Sequence, residues 1–441
     1  MMYNKLLEGA LLPMGDWLFG GNFIHALRQV RKEAALSAID LHALQESRLN
    51  SILDFASTQT IYYKDIIPGR KSDSPYVRLH NIPILTKSII KQHTNDMLTM
   101  PVDQLIKLSS SGSTGVQTDV YLSKQELSLD RAIQIYWWEW AGYKIGMPML
   151  QTGLATTRSL EKKLKDYFFR TKYLFAFGLI QADLTPLKPW IIRHKPFLGG
   201  YASSLYVISQ LLENQHLHFR SSVSWGDKLF DHYKKNITEQ LGCPVFETYG
   251  TGEGIKIAAQ KDNAFMYIMS PYVVLEIVDD HGNPVPDGSL GHVVVTSLVN
   301  RAMPLIRYRL GDLAIKLPRE KYPEERSLAL PLLQKVIGRE TDIVQTPGGK
   351  KLIVHSFTGI FEYYPQIRQF CIIQNKLSGI HVLYVKENGF QPKVLEEISN
   401  RLAELINEPF EITFESVDQI PPTKSGKPQI IISNLQKPSP T

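Results

Sequence analysis

Cysteine is nearly missing from this 441-residue chain: only Cys243 and Cys371 are present, far apart in sequence. Two separated thiols exclude a disulfide framework and a cysteine-rich metal site, and they suit a reducing, cytoplasmic setting. Histidine does not make up the deficit. His194, His216, His218 and His232 match no metal-ligand spacing, so no zinc is expected. Strong charge is absent too: 49 Lys and Arg against 43 Asp and Glu leave a net +6. No long basic run occurs, and the cluster Lys162-Lys163-Leu164-Lys165 reads as a solvated helix face, so nucleic acid is not an expected partner. A long hydrophobic run is also lacking. The most apolar stretch, Leu6 to Phe23, is broken by Glu8, Pro13, Asp16, Gly20 and Gly21 and falls short of the ~20 apolar residues of a transmembrane span. It reads as a helix and turn packed on the body, with loose membrane contact as the alternative and no secretory signal. Internal repeats and low-complexity tracts are likewise not found.

What is present is an ordinary folded composition, 43% hydrophobic and 21% charged, and a length that at roughly 150 residues per domain suggests two or three units. Helical periodicity covers Ser123 to Trp140, Ser203 to Leu212 and Lys228 to Leu241. Strand-like runs cover Tyr272 to Val278, His292 to Leu298 and Leu313 to Lys316, separated by turns such as Asp280-His281-Gly282-Asn283. The alternation indicates an α/β fold with an antiparallel stretch near residues 270–316. From Leu317 to Leu330 the composition turns to Pro, Glu, Lys and Arg, a surface excursion. Beyond Gly338 a second pattern begins: Leu352 to Phe361, a strand pair Ile367 to Gln374 and Ile380 to Lys386, and a helix Lys393 to Ile406. The expected layout is a large domain, 1–337, and a small α+β domain, 338–441.

Three segments carry chemistry. Ser109-Ser110-Ser111-Gly112-Ser113-Thr114-Gly115 combines glycines, which let backbone N–H groups converge, with hydroxyls suited to phosphate oxygens. A flexible linker is the competing reading. The strand-like flanks Gln104 to Leu108 and Asp119 to Leu122 argue for a hairpin tip, and no Gly-Lys-Ser/Thr follows as in a Walker loop. Second, Tyr249-Gly250-Thr251-Gly252-Glu253-Gly254 follows the strand-like Val245-Phe246-Glu247; a tyrosine can stack on a purine and a carboxylate can hold Mg2+. Third, Arg307-Tyr308-Arg309-Leu310-Gly311-Asp312 places a carboxylate where ribose hydroxyls could donate to it, or is a surface turn with an arginine–aspartate pair.

In this order the segments resemble the adenylate-forming superfamily of acyl-CoA synthetases, luciferases and nonribosomal adenylation domains. Gly338-Arg339 resembles that family's entry to the small domain, and Thr423-Lys424-Ser425-Gly426-Lys427 its terminal lysine motif. Within the superfamily the chain is most similar to the phenylacetate–CoA ligase branch and capsule-biosynthesis-type relatives, through Trp140-Ala141-Gly142, Gly200-Tyr201-Ala202-Ser203, Gly242-Cys243-Pro244-Val245-Phe246 and Ile360-Phe361-Glu362. The resemblance implies that Ser110, Ser111, Gly112, Ser113, Thr114 and Gly115 grip the ATP phosphates. By the same transfer Gly226, Gly250 and Thr251 line the nucleotide site, Tyr249 packs on adenine, Glu253 binds Mg2+, Asp312 holds the ribose and Arg339 contacts ribose or phosphate. Lys427 would neutralise charge at the α-phosphate as pyrophosphate leaves. Trp140, Gly200, Tyr201 and Trp225 would shape the acyl pocket, and Thr341 the hinge. Three positions depart from the family pattern: Gln117-Thr118 replaces the usual Pro-Lys, Gly252 replaces a Ser or Thr, and Thr341 replaces a hinge aspartate.

The implied reaction is ATP-dependent conversion of a small carboxylic acid to acyl-AMP, with transfer to coenzyme A. Relatives that pass the acyl group to an amine or carrier protein, or adenylylate a cofactor hydroxyl, and a catalytically lapsed binding protein are the alternatives. A homodimer is compatible with all of them. The aromatic run Tyr136-Trp137-Trp138-Glu139-Trp140 reads as core as readily as pocket.

Overall fold

Ser123 starts the fold's central helix by a reciprocal cap. Its hydroxyl accepts from the Glu126 N–H while the Glu126 carboxylate accepts from the Ser123 N–H, and Lys124–Trp140 follows. This computed structural model describes residues 2–67, 73–109, 118–155, 157–176, 179–339, 343–361, 363–364, 366–387, 389–421 and 430–435. They form two compact units: Met1–Leu310 with Ile315–Lys335, and Gly311–Ala314 with Val336–Thr441.

In the larger unit five parallel strands run side by side in the order Thr171–Phe175, Met149–Gly153, Phe197–Tyr201, Ser222–Trp225 and Val245–Gly250. Crossover helices such as Ala202–Leu211 and Asp231–Leu241 separate them in sequence, as parallel pairing requires. Beyond Val245–Gly250 the pairing turns antiparallel, to Lys256–Gln260 and then Met266–Ile268, and Val273–Val278 pairs with Leu290–Ser297. Two apolar layers cover the parallel strands. On one face Leu205, Ile208, Ile237 and Leu241 pack on Leu198 and Val245; on the other Trp138 and Tyr143 pack on Met149, Phe197 and Val223. Alternate residues of each strand thus enter opposite layers.

The N-terminal stretch is helical from Met2 to Phe19, with a π turn at Leu7–Leu11, and the helix Phe23–Ala34 follows. Leu27 and Val30 of the latter pack with Ile133 and Trp137 of the central helix. Among the described residues no helix is long and apolar enough to cross a membrane. The helix expected from Lys228 begins only at Asp231, because the residues before it form the exit from strand Ser222–Trp225. The excursion after Leu317 is anchored at both ends, with Leu317 and Leu330 buried.

The smaller unit holds a four-stranded sheet in the order Glu411–Ser416, Gly379–Lys386, Ile367–Lys376 and Ile431–Ser433. Its central pair is antiparallel and both outer strands are parallel to their neighbours. The helix Lys393–Ile406 buries Ile398, Leu402 and Ile406, a spacing of four that keeps one face apolar.

Candidate functional site

The parallel strands Phe197–Tyr201, Ser222–Trp225 and Val245–Gly250 bring Tyr201, Trp225-Gly226 and Tyr249-Gly250 to their carboxyl ends, and Tyr201 lies opposite Trp225 in register. The carboxyl edge of such a sheet is where α/β folds bind ligands. Close approach there depends on glycine. A Cβ on Gly200 would lie 1.9 Å from the Thr152 hydroxyl oxygen and one on Gly199 2.7 Å from the Trp225 ring. Gly226 has φ of +81°, and a Cβ there would lie 2.4 Å from the Tyr201 ring, so only glycine fits without strain.

Asp227 locks this edge. Its carboxylate accepts from the Ala202 N–H at 2.6 Å, the Ser203 N–H at 3.1 Å and the Ser203 hydroxyl at 2.5 Å. A carboxylate at the start of helix Ala202–Leu211 satisfies N–H groups that have no intrahelical acceptor. Two neighbouring strand exits are thereby tied together. Trp225 stacks on Trp138, with centroids 5.5 Å apart and 20° between planes. Trp140, the tryptophan assigned to the pocket from sequence, packs instead with Tyr136 and Tyr267 in the helix-lined cluster. It does not join the Trp225 group, because it is two residues from Trp138 and so lies roughly 200° around the helix. Burial pushes the Tyr201 hydroxyl up to about 12, so it stays protonated and able to donate.

The turn after Val245–Gly250 carries Glu253. Thr251 closes it, its N–H donating to Ile255 O at 2.9 Å and its hydroxyl accepting from the Ile255 N–H at 3.4 Å. A bulge between Tyr249 and Gly250 shifts the register against Lys256–Gln260 and so re-aims the turn. Glu253 is only 5% exposed, and the hydroxyl of fully buried Tyr308 donates to its Oε1 at 2.9 Å. Gly254 has φ of +81°, and a Cβ there would lie 2.7 Å from Leu122 Cδ1 and 3.2 Å from Leu108 Cδ1. Those leucines stand on Ile106–Ser109 and Asp119–Leu122, an antiparallel hairpin. The stems of the Ser/Gly segment therefore rest directly on the Glu253 turn.

Tyr308 is itself pinned. Leu85 N–H donates to Arg307 O and Arg309 N–H donates to Leu85 O, each at 2.9 Å. Arg307 takes the left-handed conformation at φ of +51°. Its guanidinium donates to the backbone oxygens of His80, Ile82 and Gly282 and pairs with Glu276 at 3.1 Å. Arg307 of this segment thus lies in a buried arginine–glutamate pair, and burial pushes the Glu276 carboxyl up against the pull of Arg307. Arg309 reaches Nδ1 of His292 at 2.8 Å.

One further group was passed over in the sequence. Glu247, on the strand that leads to Tyr249, is half-buried, and burial pushes its carboxyl up to about 7 against the pull of Lys228, Lys234 and Lys335. Asp312 is half-buried on the strand Tyr308–Lys316 and Arg339 ends the strand Leu332–Arg339; both belong to the smaller unit. Ser110, Ser111, Gly112, Ser113, Thr114, Gly115, Thr341 and Lys427 lie outside the described residues, as does the Arg339 side chain.

Known proteins resemble this chain in sequence and in fold. The family described as the CapK C-terminal domain matches residues 344–434. Protein CapK of Staphylococcus aureus is 24% identical over 412 residues, 90% of each chain. Phenylacetate-coenzyme A ligase of Thermus thermophilus is 25% identical over 292 residues, 62% of this chain and 65% of that one. Among solved structures, 2-hydroxyisobutyryl-CoA ligase in the postadenylation state superposes with a TM-score of 0.71 at 16% identity, covering 92% of both chains. ATP-bound MatB from Rhodopseudomonas palustris gives 0.56 at 19% identity, over 76% of this chain and 68% of that one. These structural likenesses establish the fold.

Proposed function

We propose that this chain, an enzyme that belongs to the adenylate-forming superfamily, activates a carboxylic acid with ATP as acyl-AMP and then transfers the acyl group to coenzyme A. The observation that carries the reading is the buried Glu253 carboxylate, held by Tyr308 on a turn whose next residue, Gly254, packs against Leu108 and Leu122 on the stems of the Ser/Gly segment. On this reading the loop assigned to the phosphates and the acidic group near its stems are joined by a cation. Glu253 suits Mg2+, which takes one or two carboxylates and completes its shell with water and substrate phosphates. Bound there, Mg2+ would offset phosphate charge.

In the first half-reaction a carboxylate oxygen of the acid bonds to the α-phosphorus of ATP and the bond from that phosphorus to the pyrophosphate oxygen breaks. Two anions must meet, so positioning and cations carry the catalysis. Ser110 to Gly115 are assigned to the β- and γ-phosphates, Tyr249 to the adenine face, Asp312 to the ribose and Lys427 to the α-phosphate. Tyr201, Gly200 and Trp225 form the wall nearest the acyl group, with Trp138 behind Trp225 in the place first given to Trp140. In the second half-reaction a thiol sulfur attacks the acyl carbonyl and AMP leaves. We assign 1–337 to nucleotide and acid binding and 338–441 to a small domain that turns about Thr341 between the two steps.

The test is ATP–pyrophosphate exchange across aryl, short-chain and long-chain acids, followed by thioester detection with coenzyme A. Acid-dependent exchange with thioester formed only when coenzyme A is added is expected. Exchange without thioester, but with amide formed from an added amine, would replace the acceptor. No exchange with any acid, and no shift of Tm with ATP, would overturn the assignment as an enzyme.

A further inference from the structure

The helix Leu160–Phe168 is amphipathic the wrong way round. It begins at a cap, Ser159 Oγ accepting from the Lys162 N–H, and ends against the edge strand Thr171–Phe175. Phe169, just beyond it, packs on the helix-lined core, and Asp166 turns inward to a bidentate pair with Arg158 at 2.6 and 3.0 Å. These two residues mark the side that meets the protein. On the opposite side stand Leu160, Leu164, Tyr167 and Phe168, which are 84%, 60%, 79% and 41% exposed. At ~100° per residue they fill one stripe about 100° wide, pointing to solvent. Lys163 and Lys165 fall on its two sides. Residues 157–172 hold six basic side chains against two acidic ones.

An apolar stripe in water, bordered by lysines, has one environment that suits both parts: the boundary between acyl chains and anionic headgroups. We infer that the Leu160–Phe168 helix docks this protein in the plane of an anionic lipid surface, its apolar side chains entering the acyl boundary and Lys163 and Lys165 meeting lipid phosphates. The nine-residue helix is far too short to span a bilayer, so the contact is a peripheral one. Charge argues against a second copy as occupant. A two-fold pairing of this helix with itself would set Lys163 and Lys165 against their own duplicates, and four side chains cover well below the ~800 Å² per partner of a stable interface. The N-terminal helix adjoins the same element, Tyr3 Oη donating to Phe168 O at 2.6 Å. It too leaves apolar side chains in solvent, Trp17 being 81% exposed.

Flotation of the full chain with vesicles of phosphatidylcholine, and of phosphatidylcholine mixed with phosphatidylglycerol, tests the inference. Binding to the mixed vesicles, weak or absent on phosphatidylcholine alone and reduced by high salt, is expected. The pair Leu164→Glu with Tyr167→Glu should lower binding at least tenfold, and Lys163→Glu with Lys165→Glu should abolish the preference for anionic lipid. All four positions are exposed, so the variants should keep the parent's Tm, and ATP–pyrophosphate exchange without vesicles should be unchanged. Failure of the parent chain to bind mixed vesicles would overturn the inference. So would undiminished binding of the Leu164/Tyr167 variant, or a parent dimer that this variant turns into a monomer, which would make the stripe a contact between copies.

Discussion

Tyr308 donates its hydroxyl to Glu253 across 2.9 Å of buried space, joining residues 55 positions apart. A carboxylate at the tip of a five-residue turn would otherwise sample many rotamers, and the tyrosine holds one oxygen while the other is set by the same orientation. Removing the hydroxyl in Tyr308→Phe leaves Glu253 short of a donor in a dry site, at a cost of about 1–3 kcal/mol. Adenylation should fall more than stability would suggest, by roughly one to two orders of magnitude at limiting Mg2+. Thermal melts and Mg2+ titrations of pyrophosphate exchange measure the two effects separately. An unchanged Mg2+ dependence in both Tyr308→Phe and Glu253→Gln would remove this pair from the metal site.

If Lys427 holds the role proposed for it, Lys427→Ala should separate the half-reactions. Acyl-AMP formation should drop by orders of magnitude, since a single preorganised cation at developing charge contributes about 3–4 kcal/mol. Transfer from supplied acyl-AMP to coenzyme A should be largely spared. Equal and mild losses in both steps would show that Lys427 has another role.

Gly226→Ala introduces a Cβ at φ of +81°, 2.4 Å from the Tyr201 ring. The left-handed backbone alone costs an L-residue about 1–2 kcal/mol, and Tyr201 must also shift. The expected result is a lower Tm together with a raised KM for acid or ATP. Asp227→Asn, which weakens the tie to Ala202 and Ser203 without touching the backbone, should show the same KM change in a milder form. Normal KM values in both variants would place the ligand away from this edge.

Glu247 makes stability depend on pH. Its carboxyl is pushed up from the usual 4.5 to about 7 by burial, so between those values the folded chain keeps a proton that the unfolded chain has lost. The resulting stabilisation is full below about pH 4.5 and is lost as pH rises through 7. Allowing for partial exposure the contribution is of order 2 kcal/mol. Glu247→Gln should therefore flatten the fall in Tm between pH 5 and pH 8 attributable to this group. Parallel Tm curves for parent and variant would contradict it.

Local pattern carried much of this protein. The capping box at Ser123 and Glu126, the apolar spacing of Lys393 to Ile406 and the strand pair around Cys371 and Leu383 were all readable, because a helix or strand that must bury one face writes its period into the chain. The order of the segments Ser110 to Gly115, Tyr249 to Gly254 and Arg307 to Asp312 along the chain also resembles the adenylate-forming pattern. Period says which face is apolar but not what it meets. That Trp138 and not Trp140 stacks on Trp225, and that Asp227 ties two strand exits together, depend on how helices seat against the sheet. The Lys162 to Lys165 segment read as an ordinary solvated face; only packing showed that Phe169 and Asp166 turn inward and leave Leu164 and Tyr167 in water. Tyr308 stood within a segment of interest, yet its hydrogen bond to Glu253 arises between distant strands and turns. Such contacts are set by tertiary packing, which no local period encodes.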